Sequence, residues 1–255
     1  MRGLAGKTAI VTGGASGIGK AICMRLAEEG SRVGIFDLNG EGAEATAADI
    51  RRAGGEAFAH TVDVTDYGAV ADAVRAFEGE AGATDILVNN AGWDRLVNFV
   101  ETDLPFWDKV IAINLLGPLN LHHVVLPGMV QRARGKVVNI ASDAGRVGSS
   151  GEAVYSACKG GLIAFTKTMA REMARSGINL NVICPGPTDT PLFASIAADS
   201  EVGAKIAEGL KRAIPMRRLG RPEDIPGAVA FLASEDANFI TGQVLSISGG
   251  LTMAG

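Results

Sequence analysis

Tyr155 and Lys159 stand four residues apart in Ala-Val-Tyr-Ser-Ala-Cys-Lys-Gly-Gly. A helix repeats every 3.6 residues, so this spacing puts the phenol and the ammonium on one face, one turn apart. A free tyrosine has a pKa of ~10 and is only ~0.1% phenolate at pH 7. Lowering that value by ~3 units takes ~4 kcal/mol of preference for the anion. One cation ~4 Å away at an effective dielectric of ~20 supplies about that much. The pair is therefore sufficient for a proton acceptor near neutrality, with Lys159 expected to lower the pKa of Tyr155. Tyr-x-x-x-Lys is common on surface helices, however, and needs partners.

A second chemical signal lies near the start. Thr12-Gly13-Gly14-Ala15-Ser16-Gly17-Ile18-Gly19 joins a β-branched run to helix-forming Lys20-Ala21-Ile22. At such a junction the unpaired N–H groups and the positive end of the helix dipole attract phosphate. The spacing G-x-x-x-G-x-G differs from G-x-G-x-x-G, but the mechanics are alike: a turn, a close backbone approach, and tight packing of helix on sheet. Asp37 follows Gly19 by 18 residues, close to the ~20 expected of a carboxylate gripping an adenosine ribose. It would accept from ribose hydroxyls and repel a 2′-phosphate. Leu38, Asn39, Ala15 and Ser16 bring no cation to offset that repulsion, which favours NAD over NADP.

These groups require a scaffold of alternating elements. Strands are predicted at Thr8–Thr12, Arg32–Asp37, Ala57–Asp63, Ile86–Asn89, Lys136–Ser142, Asn179–Cys184 and Val244–Ser248. Helical patterns cover Gly17–Glu29, Glu41–Ala53, Tyr67–Ala81, Pro105–Gln131, Ala153–Arg175 and Pro222–Ala233. Such alternation, with continuously apolar strands, means an α/β fold whose parallel sheet is covered on both faces, in a single domain spanning 1–255. One interval breaks the rhythm, at 187–221. A long excursion at the carboxyl end of a strand is expected to be a substrate lid or loop. Within it Ser195–Arg212 looks helical but is poor in large apolar groups.

A net charge of −4, without a basic stretch interleaved with aromatics, argues against a nucleic-acid surface. No apolar run reads as membrane-spanning, and the first seven residues lack the core of a signal peptide. Cys23, Cys158 and Cys184 have neither disulfide parity nor metal spacing, so a reduced cytoplasm is expected. His122 and His123 are adjacent and point apart, and His60 lies in a strand without an evident partner. No metal site is expected.

Several motifs in order carry a resemblance. They are Thr-Gly-x-x-x-Gly-Ile-Gly at 12–19, Asp63-Val64, Asn89-Asn90-Ala91-Gly92, Asn114, Ser142, Tyr155-x-x-x-Lys159, Pro185-Gly-Pro-Thr-Asp-Thr190 and the late Ser248-Gly249-Gly250. From Lys7 onward the chain resembles the short-chain dehydrogenase/reductase family. The resemblance implies a doubly wound Rossmann fold with seven strands in the order 3-2-1-4-5-6-7. It also implies a catalytic tetrad of Asn114, Ser142, Tyr155 and Lys159. In oxidation Tyr155 would accept the hydroxyl proton, Ser142 orient the substrate oxygen, and Lys159 bond the nicotinamide ribose. Asn114 would interrupt its helix and hold a relay water. Gly13, Ser16, Gly17, Ile18, Gly19, Asp37 and Leu38 would hold the adenosine diphosphate portion. Asp63 and Val64 would meet adenine, with Asn90, Ala91 and Gly92 passing beneath the adenosine half. Pro185, Gly186, Thr188 and Thr190 would frame the nicotinamide carboxamide.

A narrower resemblance, through Asn90-Ala-Gly-Trp-Asp94, the 141–155 stretch and Phe239-Ile-Thr-Gly-Gln-Val-Leu-Ser, is to 2-hydroxycyclohexanecarboxyl-CoA dehydrogenases. It implies NAD-dependent oxidation of a ring alcohol on a CoA thioester, in anaerobic benzoate or cyclohexanecarboxylate degradation. The alternatives are 3-oxoacyl-(acyl-carrier-protein) reduction, another 3-hydroxyacyl-CoA dehydrogenase, or a dinucleotide-binding regulator without chemistry. Trp93 is a candidate wall of a ring-sized pocket. Arg146 is a candidate contact for the thioester tail, with Lys205, Lys211, Arg212, Arg217, Arg218 and Arg221 as candidates for CoA phosphates. The family resemblance also implies a homotetramer built through the two long helices and the C-terminal strand.

Overall fold

The computed structural model describes residues 1–198 and 209–253. Strands β1 (Thr8–Thr12), β2 (Arg32–Asp37), β3 (Glu56–Thr61), β4 (Ile86–Asn89), β5 (Gly135–Ile140), β6 (Ile178–Pro185) and β7 (Val244–Ile247) form one sheet in the order 3-2-1-4-5-6-7. Every neighbouring pair is parallel, from Thr8 opposite Arg32 to Pro185 opposite Ile247. The order reverses between β1 and β4. At that point the chain leaves adjacent strands in opposite directions and opens a crevice at their carboxyl ends.

Residues in β1 are all buried because both faces of the sheet are covered. Alternation sends Ala9 and Val11 to one face and Ile10 to the other. The first face packs on α1 (Gly17–Glu28) through Ile22 and Leu26, on α2 (Gly40–Arg52) through Ile50, and on a late helix through Val229. The second packs on α3 (Tyr67–Ala81), where Phe77 makes edge contacts with Phe36, Phe58 and His60. His60 thus sits within the aromatic core and meets Glu80 at 3.3 Å, so the expectation of a partnerless histidine is corrected.

The expected helix Pro105–Gln131 is three elements: α4 (Leu104–Ile111), a π-helical turn (Ala112–Leu116) and α5 (Gly117–Gln131). Together they make a 28-residue helical run with mean hydropathy 1.4, long and apolar enough to span a membrane. By length and composition alone this is weak evidence for a span, since a buried core helix passes the same test. Leu121, Val125 and Met129 from this run pack into the second core face, which accounts for its apolar character. After β5 come a short helix α6 (Ala144–Val147), which sequence reasoning missed, and the long α7 (Ala153–Met173). Helix α8 (Pro191–Ala198) opens the excursion after β6, and α9 (Pro226–Ala233) follows it. Most of the expected helix Ser195–Arg212, including Lys205, lies outside the described residues.

Candidate active site

On the first side of the crevice the backbone dominates. Gly13 and Gly17 have φ of +67° and +53°, and a Cβ on Gly19 would collide with the carbonyl oxygen of Gly13. Ser16 occupies the N-cap of α1 without a side-chain capping bond, whereas Asn39, Asp66 and Asp103 cap α2, α3 and α4. The α1 amides therefore lack a capping side chain, and the glycines of the turn let a phosphate approach them. Asn90 locks the turn by donating from Nδ2 to the carbonyls of Thr12 (3.0 Å) and Gly13 (3.2 Å). The amides of Asn90 and Ala91 donate to Thr12 Oγ1, both at 3.0 Å.

Asp37 closes the same side. Its Oδ2 accepts from the Ala15 amide and its Oδ1 from the Asn39 amide, both at 2.9 Å. The carboxylate is thus held over the glycine turn, with lone pairs left for hydroxyl donors. Leu38 beside it is exposed and Ile18 packs against the core. Asp63 is exposed and turned locally onto Thr65, whose amide (2.9 Å) and hydroxyl (2.7 Å) donate to its Oδ1. Val64 is buried and offers its carbonyl to Asn120. A glycine cradle, an uncapped helix start and a fixed carboxylate together fit a dinucleotide.

Across the crevice, side chains converge from four segments. Ser142 lies two residues beyond β5, so the predicted strand Lys136–Ser142 runs too far. Its hydroxyl is bonded to Tyr155 of α7 and also accepts from the Ala144 amide at 3.1 Å. Lys159 is buried, donates from Nζ to the Ile140 carbonyl at 3.0 Å, and lies 5.4 Å from the Tyr155 ring centroid. Asn114, wholly buried, sits in the π turn and donates to the carbonyls of Val110 (2.9 Å) and Trp93 (2.7 Å). The Trp93 amide donates back to its Oδ1 at 3.3 Å. A π turn releases one rung of helical bonding, and the Asn114 side chain fills that place. A Cβ on Gly92 would come within 3.0 Å of Asn114 Oδ1 and 3.5 Å of Lys159 Nζ, so this glycine keeps the corner open.

The electrostatics correct one expectation. Burial pushes the Tyr155 phenol up, and Glu152 and then Asp94 push it further, while the bond to Ser142 pulls it down. Burial pushes the Lys159 ammonium down to about 8, so the counter-charge it offers is full only below that pH. In the free chain Tyr155 holds its proton, and the cation counteracting its neighbours is only partly retained as pH rises. Desolvation outweighs the single-partner Coulomb argument.

Sequence reasoning gave no role to the two carboxyls beside Tyr155. Asp94 is buried, and burial followed by the nearby Glu152 charge raises it to about 7. Glu152, at the N-cap of α7, is raised by burial too. The available signal was three-residue spacing, which puts Glu152 on the face of Tyr155.

The comparisons agree with this architecture. A family profile described as Enoyl-(Acyl carrier protein) reductase, of the short-chain type, matches residues 13–252. Nodulation protein G of Azospirillum brasilense is 41% identical over 246 residues, covering 96% of this chain and 98% of that protein. The 3-oxoacyl-[acyl-carrier-protein] reductase FabG of Thermotoga maritima is 36% identical over 253 residues, covering 98% and 99%. Among solved structures, an actinorhodin polyketide ketoreductase with NADPH superposes with a TM-score of 0.92 at 34% identity, covering 98% of this chain and 99% of that one. Levodione reductase gives the same TM-score and identity, covering 96% and 97%. The chain belongs to the short-chain dehydrogenase/reductase family.

As a short-chain dehydrogenase/reductase it is an oxidoreductase that binds a nicotinamide dinucleotide. Trp93 is half-buried, in edge contact with Phe106 and beneath Lys109, whose Nζ is 3.8 Å from the ring centroid. Arg146 donates to Ser246 Oγ at 2.8 Å, and Ser246 bonds Asp143, so the guanidinium is tied toward β7. Pro185 ends β6 and Gly186 packs against Ser248. Thr188 is buried with its hydroxyl on the Gly186 carbonyl, while Thr190 caps α8 and packs over Gly17. Thr188 also bridges to Gly220, which ties both ends of the 187–221 excursion together. On that excursion Arg218 pairs with Asp224, and Arg217 bonds the Arg212 carbonyl. All three cysteines are free and buried, and no metal-binding cluster occurs among the described residues.

Proposed function

We propose that this oxidoreductase interconverts a 3-oxoacyl and a 3-hydroxyacyl thioester, with Tyr155 transferring the proton and NAD(H) preferred over NADP(H). The observation carrying it is the convergence of Ser142, Tyr155, Lys159 and Asn114 opposite the glycine cradle closed by Asp37. Nicotinamide chemistry supplies or takes the hydride. In reduction the substrate oxygen is held by the hydroxyls of Ser142 and Tyr155, and Tyr155 donates its proton as negative charge develops. A phenol kept protonated by its surroundings suits that direction. In oxidation Tyr155 takes the proton back, and Lys159 is the cation at hand. Asn114 keeps Trp93 and Gly92 in register above Lys159, and the described part of the 187–221 excursion is assigned to a substrate loop.

The carboxylate at Asp37 supports NAD(H), since it would face the extra phosphate of NADP at close range. The full-length likeness to 3-oxoacyl-[acyl-carrier-protein] reductase supports an acyl-carrier-linked substrate. A second reading, a ring hydroxyacyl-CoA such as 2-hydroxycyclohexanecarboxyl-CoA, draws on Trp93, an aromatic residue whose backbone amide and carbonyl are both held by Asn114. Leu104 and Leu116 on the 104–131 helical run and Leu245 on β7 are exposed, which supports a tetramer assembled through those elements.

The test offers linear and ring 3-oxoacyl thioesters, on acyl carrier protein and on CoA, with NADH or NADPH, following nicotinamide absorbance. Linear substrates with NADH are expected to turn over fastest. Failure of every thioester removes the substrate reading, and a strong NADPH preference removes the role given to Asp37. Ring CoA thioesters outrunning all linear ones would move the assignment to the second reading.

A further inference from the structure

Asp94, on the loop after β4, and Glu152, three residues before Tyr155, bring their carboxyls together in a corner beside the proposed base. No hydrogen bond of ordinary geometry reaches either oxygen of Asp94, which is only 4% exposed. Val97, Phe99, Phe106 and Val154 wall the adjoining gap, which has no room for a water molecule. Beside the Arg95 backbone, Glu152 on the same gap is the side-chain partner within reach of Asp94. Two carboxyls in contact attract only when a proton lies between them. We propose that Asp94 and Glu152 share a single proton and that this pair sets the pH at which Tyr155 releases its own.

The charges facing Tyr155 bear this out. From its own helix come Glu152 and Lys159, from the β4 loop Asp94, from beyond β5 the neutral Ser142 hydroxyl, and from β6 Cys184. Burial holds the Cys184 and Cys158 thiols protonated, and Cys184 has Asp143 and Arg146 as its own charged neighbours. Asp94 in turn faces Lys159 and the Arg95 backbone, and Glu152 faces Ser149. The ionic balance at Tyr155 is therefore the pair against Lys159. With its proton, the pair carries one negative charge and Lys159 matches it. Without the proton it carries two, and the phenolate is opposed. The pair acts through Tyr155 and is a positioning device for charge.

The sequence makes a direct test available, because it holds only two tyrosines, Tyr67 and Tyr155. In a Tyr67→Phe background the ultraviolet absorbance of phenolate reports Tyr155 alone, with no substrate or cofactor. Glu152→Gln and Asp94→Asn each keep a hydrogen bond across the pair while forbidding the second charge. Each is expected to lower the Tyr155 midpoint by about one pH unit, the effect of one charge roughly 10 Å away at an effective dielectric of ~20. The rising limb of the oxidation pH profile should move by a similar amount. Should Asp94→Asn fail to fold, Glu152→Gln at the helix start still decides. Midpoint and profile unmoved in a folded variant overturn the proposal. The inference rests on Tyr155 as the base, and a Tyr155→Phe enzyme with full turnover would remove that reading separately.

Discussion

The two sides of the crevice follow opposite plans. Around β1, α1 and β2 the backbone makes the site, and its one carboxylate, Asp37, is fixed by two peptide amides. Across the switch point, titratable side chains make it: Asp94, Glu152, Tyr155 and Lys159 share a corner in which Asp94 and Lys159 are buried. The first plan is steric and leaves little to titrate. The second stores its behaviour in burial and mutual charge, so pH acts on it. Substitutions on the two sides should therefore fail differently, through binding or folding on one and through rate and pH profile on the other.

The largest expected effect is on the charged side. Tyr155→Phe keeps the ring and its packing but removes the proton, and kcat should fall by roughly 10²–10⁴ with KM little changed. A rise in KM with kcat intact would put Tyr155 on the binding plan instead.

Lys159 comes next, through stability. Its folded pKa of about 8 lies below the unfolded value of ~10.4. The folded state therefore carries a cost wherever this buried ammonium is charged, in full below about 8. That cost fades as pH rises toward ~10.4, because over this window the unfolded chain binds more protons. The wild-type protein should gain up to ~3 kcal/mol across it relative to Lys159→Met. Denaturant midpoints at the two ends of the window measure the difference. Parallel curves would mean that Lys159 is better solvated than its 2% exposure indicates.

On the backbone side, Asp37→Ser removes the charge while leaving a hydroxyl near the Ala15 and Asn39 amides. The ratio of kcat/KM for NADPH over NADH should rise at least tenfold, about 1.4 kcal/mol, with the pH profile unchanged. A moved pH profile would show that the two plans are coupled.

Legibility in the sequence divides along the same line. Strands β1, β2 and β4 appear at their predicted limits because short β-branched or apolar runs between turn-forming residues leave few alternatives. Gly13, Gly17, Gly19 and Asp37 were readable for a similar reason: a steric demand is written as glycine at fixed spacing. The structure brings Asn114 near Lys159 across Gly92, and its clamp on Trp93 was not legible, since it depends on where the π turn places one amide. The sign of the shift at Tyr155 was misread. Four-residue spacing shows that Lys159 is near, but nothing local shows that both groups are desolvated. Nor does it show that Asp94, 61 residues earlier, points at them. Burial is a property of the whole fold.

The smallest effect tests whether the backbone side is as independent as it looks. Asn39 sits two residues past Asp37 and caps α2, its Oδ1 accepting from the Gly42 amide at 3.0 Å. Its own amide donates to Asp37, a bond that any side chain at position 39 preserves. Asn39→Ala should therefore cost the cap alone, about 1 kcal/mol, or roughly 2–4 °C in Tm for a chain of this size. Cofactor preference should stay that of the parent, because the Asp37 carboxylate keeps both of its amide donors. If preference shifts along with Tm, the α2 cap also orients Asp37, and even the steric side of the crevice depends on one side chain for its selectivity.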